Sequence, residues 1–124
     1  MKKLFLVCLM MLAGSAWAEW TKIAVNRSST FYIDLKTMRK DGDKRKVWII
    51  QDLKARSERG ILSIRAREEF DCTNYTRRSL SLTSHSEPMA EGETLSSTTF
   101  STDSWKDIPP DSNSLIILEF VCAQ

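Results

Sequence analysis

Between Trp20 and Phe100 apolar residues recur at every second position, in short runs separated by turn-forming residues. That spacing limits the fold more than any other feature, because a period of two sends alternate side chains to opposite sides of an extended backbone. Trp20 to Val25 reads as a first strand, with Trp20, Lys22 and Ala24 on one side and Thr21, Ile23 and Val25 on the other. Asn26 to Ser29 supplies a turn, and Thr30 to Leu35 returns with Phe31, Ile33 and Leu35 on one face, as in a hairpin. The Asp41-Gly42 pair within Arg39 to Lys44 marks the next turn. Val47 to Leu53 is then a third strand, apolar on both sides around Val47 to Ile50, which calls for a central position and cover on two faces.

Arg56 to Gly60 forms a further turn. In the strand after it Leu62, Ile64, Ala66 and Phe70 alternate with Ser63, Arg65, Arg67, Glu69 and Asp71. Asn74 to Arg77 turns the chain again, and Leu80 and Leu82 alternate with Ser79, Ser81 and Thr83 in a fifth strand. Ser84 to Glu93, broken by Pro88 and Gly92, reads as a loop that carries His85 on the surface. Thr94 to Phe100, rich in Ser and Thr, is a sixth strand near an edge. Leu115 to Cys122 is apolar throughout and compatible with a buried strand or a short helix. Asp111 and Ser112 after Pro109-Pro110 offer a side-chain cap, and Leu115, Leu118 and Cys122 recur at helical spacing, which points to the helix. The expected fold is α+β: a six-stranded antiparallel sheet with a C-terminal helix packed on one face.

The chain's 124 residues, 42% apolar and 27% charged, suit one modest domain. Lys2 and Lys3, the apolar stretch from Leu4 to Leu12, and Ala16-Trp17-Ala18 read as a signal peptide over residues 1–18, cleaved before Glu19, with residues 19–124 forming the domain. The apolar centre falls short of the roughly 20 residues of a membrane-spanning helix, so no stable membrane insertion is expected after cleavage. Val7, not a small residue, precedes Cys8, which disfavours lipid attachment there. Loss of Lys2 and Lys3 takes the formal net charge from +2 to zero. Residues 39–67 nevertheless hold ten Lys or Arg against four acids, while residues 85–124 hold Lys106 against seven acids.

Cys72 and Cys122 survive processing, and two cysteines in a small exported domain are most simply a disulfide, with an intermolecular bridge as the alternative. Two thiols 50 positions apart, with one histidine in the chain, fall short of a zinc ligand set, and no metal is expected. Asp41-Gly42-Asp43 lacks the further ligands of a calcium loop. No phosphate-binding or dinucleotide motif occurs, no Gly-x-Ser-x-Gly elbow accompanies His85, and alternation sends Glu68 to the face opposite Glu69 and Asp71. No cofactor and no catalytic residue are assigned, and the chain is read as non-enzymatic. Glu69 and Asp71 are expected to pair with cations of neighbouring strands, and Trp20, Trp48, Phe70 and Trp105 to serve core or helix-to-sheet packing. Arg65 and Arg67, two apart on one strand face, combine with the Arg56/Arg59 turn and with Lys44, Arg45 and Lys46 in a candidate basic surface, to which Trp48 or Tyr32 adds stacking area.

Phe31-Tyr32-Ile33-Asp34, Lys46-Val47-Trp48, Glu69-Phe70-Asp71-Cys72, Arg78-Ser79-Leu80, Trp105-Lys106-Asp107-Ile108-Pro109-Pro110 and Val121-Cys122, in that order, resemble the surface-adhesin protein E family of exported Gram-negative proteins. The resemblance implies the same sheet-and-helix fold and, from the family's best-known member, adhesion to host matrix and serum proteins such as laminin and vitronectin. The expected function is therefore an exported binding module for an extracellular matrix or serum protein or an anionic glycan, located in the periplasm, released or on the outer surface. The alternative is a periplasmic accessory or inhibitor protein that binds another envelope protein through the Ser84 to Thr94 loop. Nucleic acid is disfavoured as a partner, and a homodimer stays open.

Overall fold

The computed structural model describes residues 19–101 and 104–124. The expected signal segment, 1–18, with Cys8, lies outside the described residues. Six strands follow one another in sheet order as in chain order: β1 (Trp20–Val25), β2 (Ser29–Asp41), β3 (Lys44–Leu53), β4 (Ser63–Asp71), β5 (Thr76–His85) and β6 (Thr94–Thr99). Every neighbouring pair is antiparallel. A two-residue strand, β7 (Lys106–Asp107), pairs with β5 and makes the sheet seven-stranded. Two residues are too few to show a period, so the sequence reading stopped at six.

The turns form where their chemistry requires them. Asn26 Oδ1 accepts hydrogen bonds from the Ser28 and Ser29 amides at 2.9 and 2.7 Å, closing the β1–β2 connection. Gly42 takes a φ of +59° between β2 and β3, a conformation that costs glycine little. The Asp71 carboxylate accepts from the Thr73 and Asn74 amides and from Asn74 Nδ2, which folds the chain from β4 into β5. β2 is longer than expected because it continues through a bulge between Asp34 and Arg39. β5 likewise continues through Ser84 and His85, both expected in a loop, and each is paired in register with β4.

The C-terminal segment is helical, α1 (Asn113–Cys122), and Ser112 Oγ caps it by accepting from the Leu115 amide at 3.2 Å. The face it buries is Ile117, Leu118 and Val121, not the anticipated Leu115, Leu118 and Cys122 stripe. Residues 115–118 are all apolar, so several faces of the helix satisfied the spacing and packing chose among them. Ile117, Leu118 and Val121 close on Ile33, Val47, Ile49 and Phe70 in the main core.

Cys72, immediately after β4, is bonded to Cys122 at the end of α1, with their Cα atoms 5.8 Å apart. The bond encloses 50 positions and stabilises by about 4 kcal/mol in the chain-entropy account. Replacing both with Cys72→Ser and Cys122→Ser should therefore lower unfolding stability by about 4 kcal/mol in urea titration. An unchanged urea midpoint would show that the helix holds its place by packing alone.

Candidate binding face

Register divides the sheet into two faces. Val47, Ile49, Ala66 and Phe70 point toward α1, whereas Lys46, Trp48, Ile50, Arg65, Arg67 and Glu69 point the other way. No helix covers this second face among the described residues. Ile50 is nevertheless buried there, since a short 3-10 turn at Pro88–Ala90 folds over β3 and β4. The Met89 amide donates to Asp52 Oδ1 at 2.8 Å and the Ala90 amide to Ser63 Oγ at 2.9 Å. Met89 and Ala90 both adopt a φ of +59°, so these hydrogen bonds hold two non-glycine residues in a left-handed conformation.

Beyond that turn Trp48 carries two guanidinium groups. Arg65 Cζ lies 4.3 Å and Arg67 Cζ 5.2 Å from the indole centroid. The ring quadrupole attracts both cations, so one indole gathers two arginine heads. Neither arginine forms an ion pair among the described residues. Arg39 and Lys46, directly paired across β2 and β3, extend the positive charge over a hollow of about 230 Å³ that Glu69 also lines. At the far end Trp105 stacks on Arg78 at 4.4 Å and receives Lys44 at 5.7 Å. Glu69 and Asp71 pair as expected with cations of neighbouring strands, Glu69 with Arg78 at 2.7 Å and Asp71 with Lys44 at 3.6 Å. Burial raises the Asp71 carboxyl, but hydrogen bonds from Asn74 and Thr73 and the Lys44 charge together hold it below its ordinary value.

The seven basic residues singled out in the sequence do not form one patch. Lys44, Lys46, Arg65 and Arg67 share the open face. Arg45 alternates onto the helix side, opposite Phe70, and its Nη1 donates to the Gly42 and Lys44 carbonyls at 2.8 and 3.0 Å. Arg56 donates to the Gly60 and Ser86 carbonyls, tying one loop to the next. Arg59 lines a separate hollow with Ile61, Ser84, Leu95 and Ser96. Arg39 was not singled out, because its place beside Lys46 depends on the bulge in β2, which has no sequence marker. The aromatics also divide: Phe70 is core, but Trp48 and Trp105 lie on the face away from the helix, stacked on cations.

His85 is the other correction. Expected on the surface, it is 7% exposed at the end of β5, with Nε2 2.8 Å from Thr83 Oγ1 and Nδ1 3.5 Å from Thr94 Oγ1. Burial, and secondarily the Arg65 charge, push its pKa below the ordinary 6.5. Glu68, on the opposite face from Glu69 and Asp71 as alternation required, lies beside Arg77 and Ser79.

Residues 20–123 match the family model described as Surface-adhesin protein E. Among solved structures, crystal form II of Haemophilus influenzae protein E aligns with a TM-score of 0.59 at 15% identity, over 87% of this chain and 97% of that one. The selenomethionine form of the same organism's protein E gives a TM-score of 0.58 at 14% identity, over 86% and 94% of the two chains. Protein E from non-typeable Haemophilus influenzae gives 0.51 at 16% identity, over 86% of each chain. At these identities the likeness establishes a shared fold. No curated protein sequence matches the chain.

Burial of a neutral imidazole beside Arg65 makes stability depend on pH. An unfolded chain takes up the proton near 6.5 and the folded chain resists it, so stability is lost as pH falls below 6.5 and the loss is complete below the folded pKa. Thermal melts across that range should show the decline, and His85→Gln should flatten it. An identical pH slope in the variant would mean that other groups cause it.

Proposed function

The chain belongs to the surface-adhesin protein E family, and from that premise we propose that it is an exported, non-enzymatic adhesion module whose open sheet face binds an acidic ligand. The ligand class is an anionic glycan or the acidic surface of a matrix or serum protein. The observation that carries this reading is the Arg65–Trp48–Arg67 cluster, two guanidinium groups over one indole and without a carboxylate partner among the described residues. Guanidinium groups present paired donors in a planar fork that suits sulfate, phosphate and carboxylate. Holding them on a ring removes part of the ordering cost that flexible surface arginines meet on binding. Arg39 and Lys46 add charge beside the stack, so that a ligand with several anionic groups gains over one with a single group.

Family membership and the resemblance of the ordered motifs support adhesion, and no helix among the described residues is long and apolar enough to cross a membrane.

The purified protein should be retained on immobilised heparin and released by moderate salt, because screened surface charges dominate the contact. Arg65→Glu with Arg67→Glu should weaken retention by about tenfold or more. The same substitutions should reduce capture by immobilised matrix proteins. Retention unaffected by both substitutions would remove the open face as the binding surface.

A further inference from the structure

On the helix side α1 packs against β1 and the core residues of β2 and β3. Beside it a trough of about 200 Å³ lies over β3 to β5, walled by Phe31, Ile49, Ile64, Ala66, Leu82 and Ile117. The trough follows β3 from Gln51 to the level of Val47, which pairs with Glu68, a run of about 13 Å at the usual strand rise. Its end is polar. The Glu68 side chain is 12% exposed, and its Oε1 accepts from Ser79 Oγ at 3.1 Å and lies 3.4 Å from Arg77 Nη1. Its Oε2 is buried and has no hydrogen-bond partner among the described residues.

Arg77 lines this trough and also a second hollow of about 280 Å³, to which Ser79, Phe100 and Lys106 contribute. Arg77 and Lys106 are paired in register between β5 and β7, and both act on the Glu68 charge. Two cations therefore stand against one acid. An apolar channel that ends at a surplus positive charge complements an amphiphile with an acidic head.

We propose that the trough binds a medium-chain aliphatic carboxylate, its chain lying on Ile64, Ala66 and Leu82 and its head held by Arg77 and Lys106 beside the Glu68 side chain. A second carboxylate placed beside Glu68 raises its pKa further, because like charges disfavour each other. Burial foremost already holds the Glu68 carboxyl above its ordinary 4.5, against the Ser79 hydrogen bond and the Arg77 and Lys106 charges, which lower it. Glu68 is thus the group that takes up the proton when the ligand enters. Its surroundings are Arg77 and Ser79 on β5, Lys106 on β7, Val47 across on β3, and Ser114 and Ile117 of α1 at the trough wall. This site is separate from the open face, and neither reading depends on the other.

Decanoate, kept below its aggregation threshold, is the probe, titrated into the purified protein and followed by amide chemical shifts and calorimetry. Saturable shifts are expected at Ile64, Ala66, Leu82 and Ile117, with net proton uptake and tighter binding at mildly acidic than at neutral pH. Arg77→Gln should weaken binding about tenfold, the loss of one charge-assisted hydrogen bond. Glu68→Gln should keep binding but abolish the proton uptake. Decanol binding as tightly as decanoate, preference for a decyl ammonium, shifts mapping outside the trough, or no saturable binding would each overturn the proposal, and the shift map of the unmodified protein decides even if a variant fails to fold.

Discussion

Strand β3 is apolar on both sides, and the architecture follows from the need to cover both. Val47 and Ile49 face the helix, while Ile50 and Trp48 face away from it. A strand of this kind is stable only in the interior of a sheet with material on each face. α1, joined to the chain after β4 through Cys72–Cys122, covers the first side. No second α-helix exists among the described residues, so the other side is covered piecemeal. The Pro88–Ala90 turn lies over one end of it, and arginine and lysine side chains lie over the indoles of Trp48 and Trp105.

That asymmetry produces two surfaces of different chemistry. A tryptophan left on a face without a helix is still a large apolar plate, and arginine stacks on it with little desolvation cost because a guanidinium is weakly hydrated. The same contact that shields Trp48 also brings two cations to one ring at the surface, so packing and the placement of surface charge are one interaction there. On the helix side, ten residues of α1 are too few to span the sheet, and the strip along β4 and β5 remains a trough with Glu68 at its end. Family membership in the surface-adhesin protein E group concerns the whole of this arrangement, since the match runs from residue 20 to 123.

Much of the fold was legible because its determinants are local. Asn26, Asp41-Gly42 and Ser112 act on backbone groups within a few residues of themselves, and alternation along β4 placed Glu68 apart from Glu69 and Asp71 correctly. The failures share a physical cause. His85 was assigned to a loop because Pro88 and Gly92 break the Ser84 to Glu93 segment, yet pairing with Ser63 and hydrogen bonds to threonines bury it. The buried stripe of α1 was misassigned because apolar residues occupy nearly every direction around it. Arg45, Arg56 and Arg59 were grouped with Arg65 and Arg67 because antiparallel pairing of the third and fourth strands brings their segments close, but one alternates to the far face, one is engaged by carbonyls, and one borders another hollow.

The sequence by itself determined six of the strands and the turns between them, the helix cap, the two cysteines available for pairing, and the side of β4 on which Arg65 and Arg67 stand. Period-two patterning and side-chain hydrogen bonds to nearby backbone are short-range physics, readable from neighbours alone. Only the tertiary structure decided which cations meet which rings, that Arg39 joins Lys46, that His85 is enclosed, and that Glu68 keeps one oxygen without a partner beside an apolar trough. Those outcomes depend on registers and bulges between strands distant in the chain, and a slip of one residue would exchange the two faces.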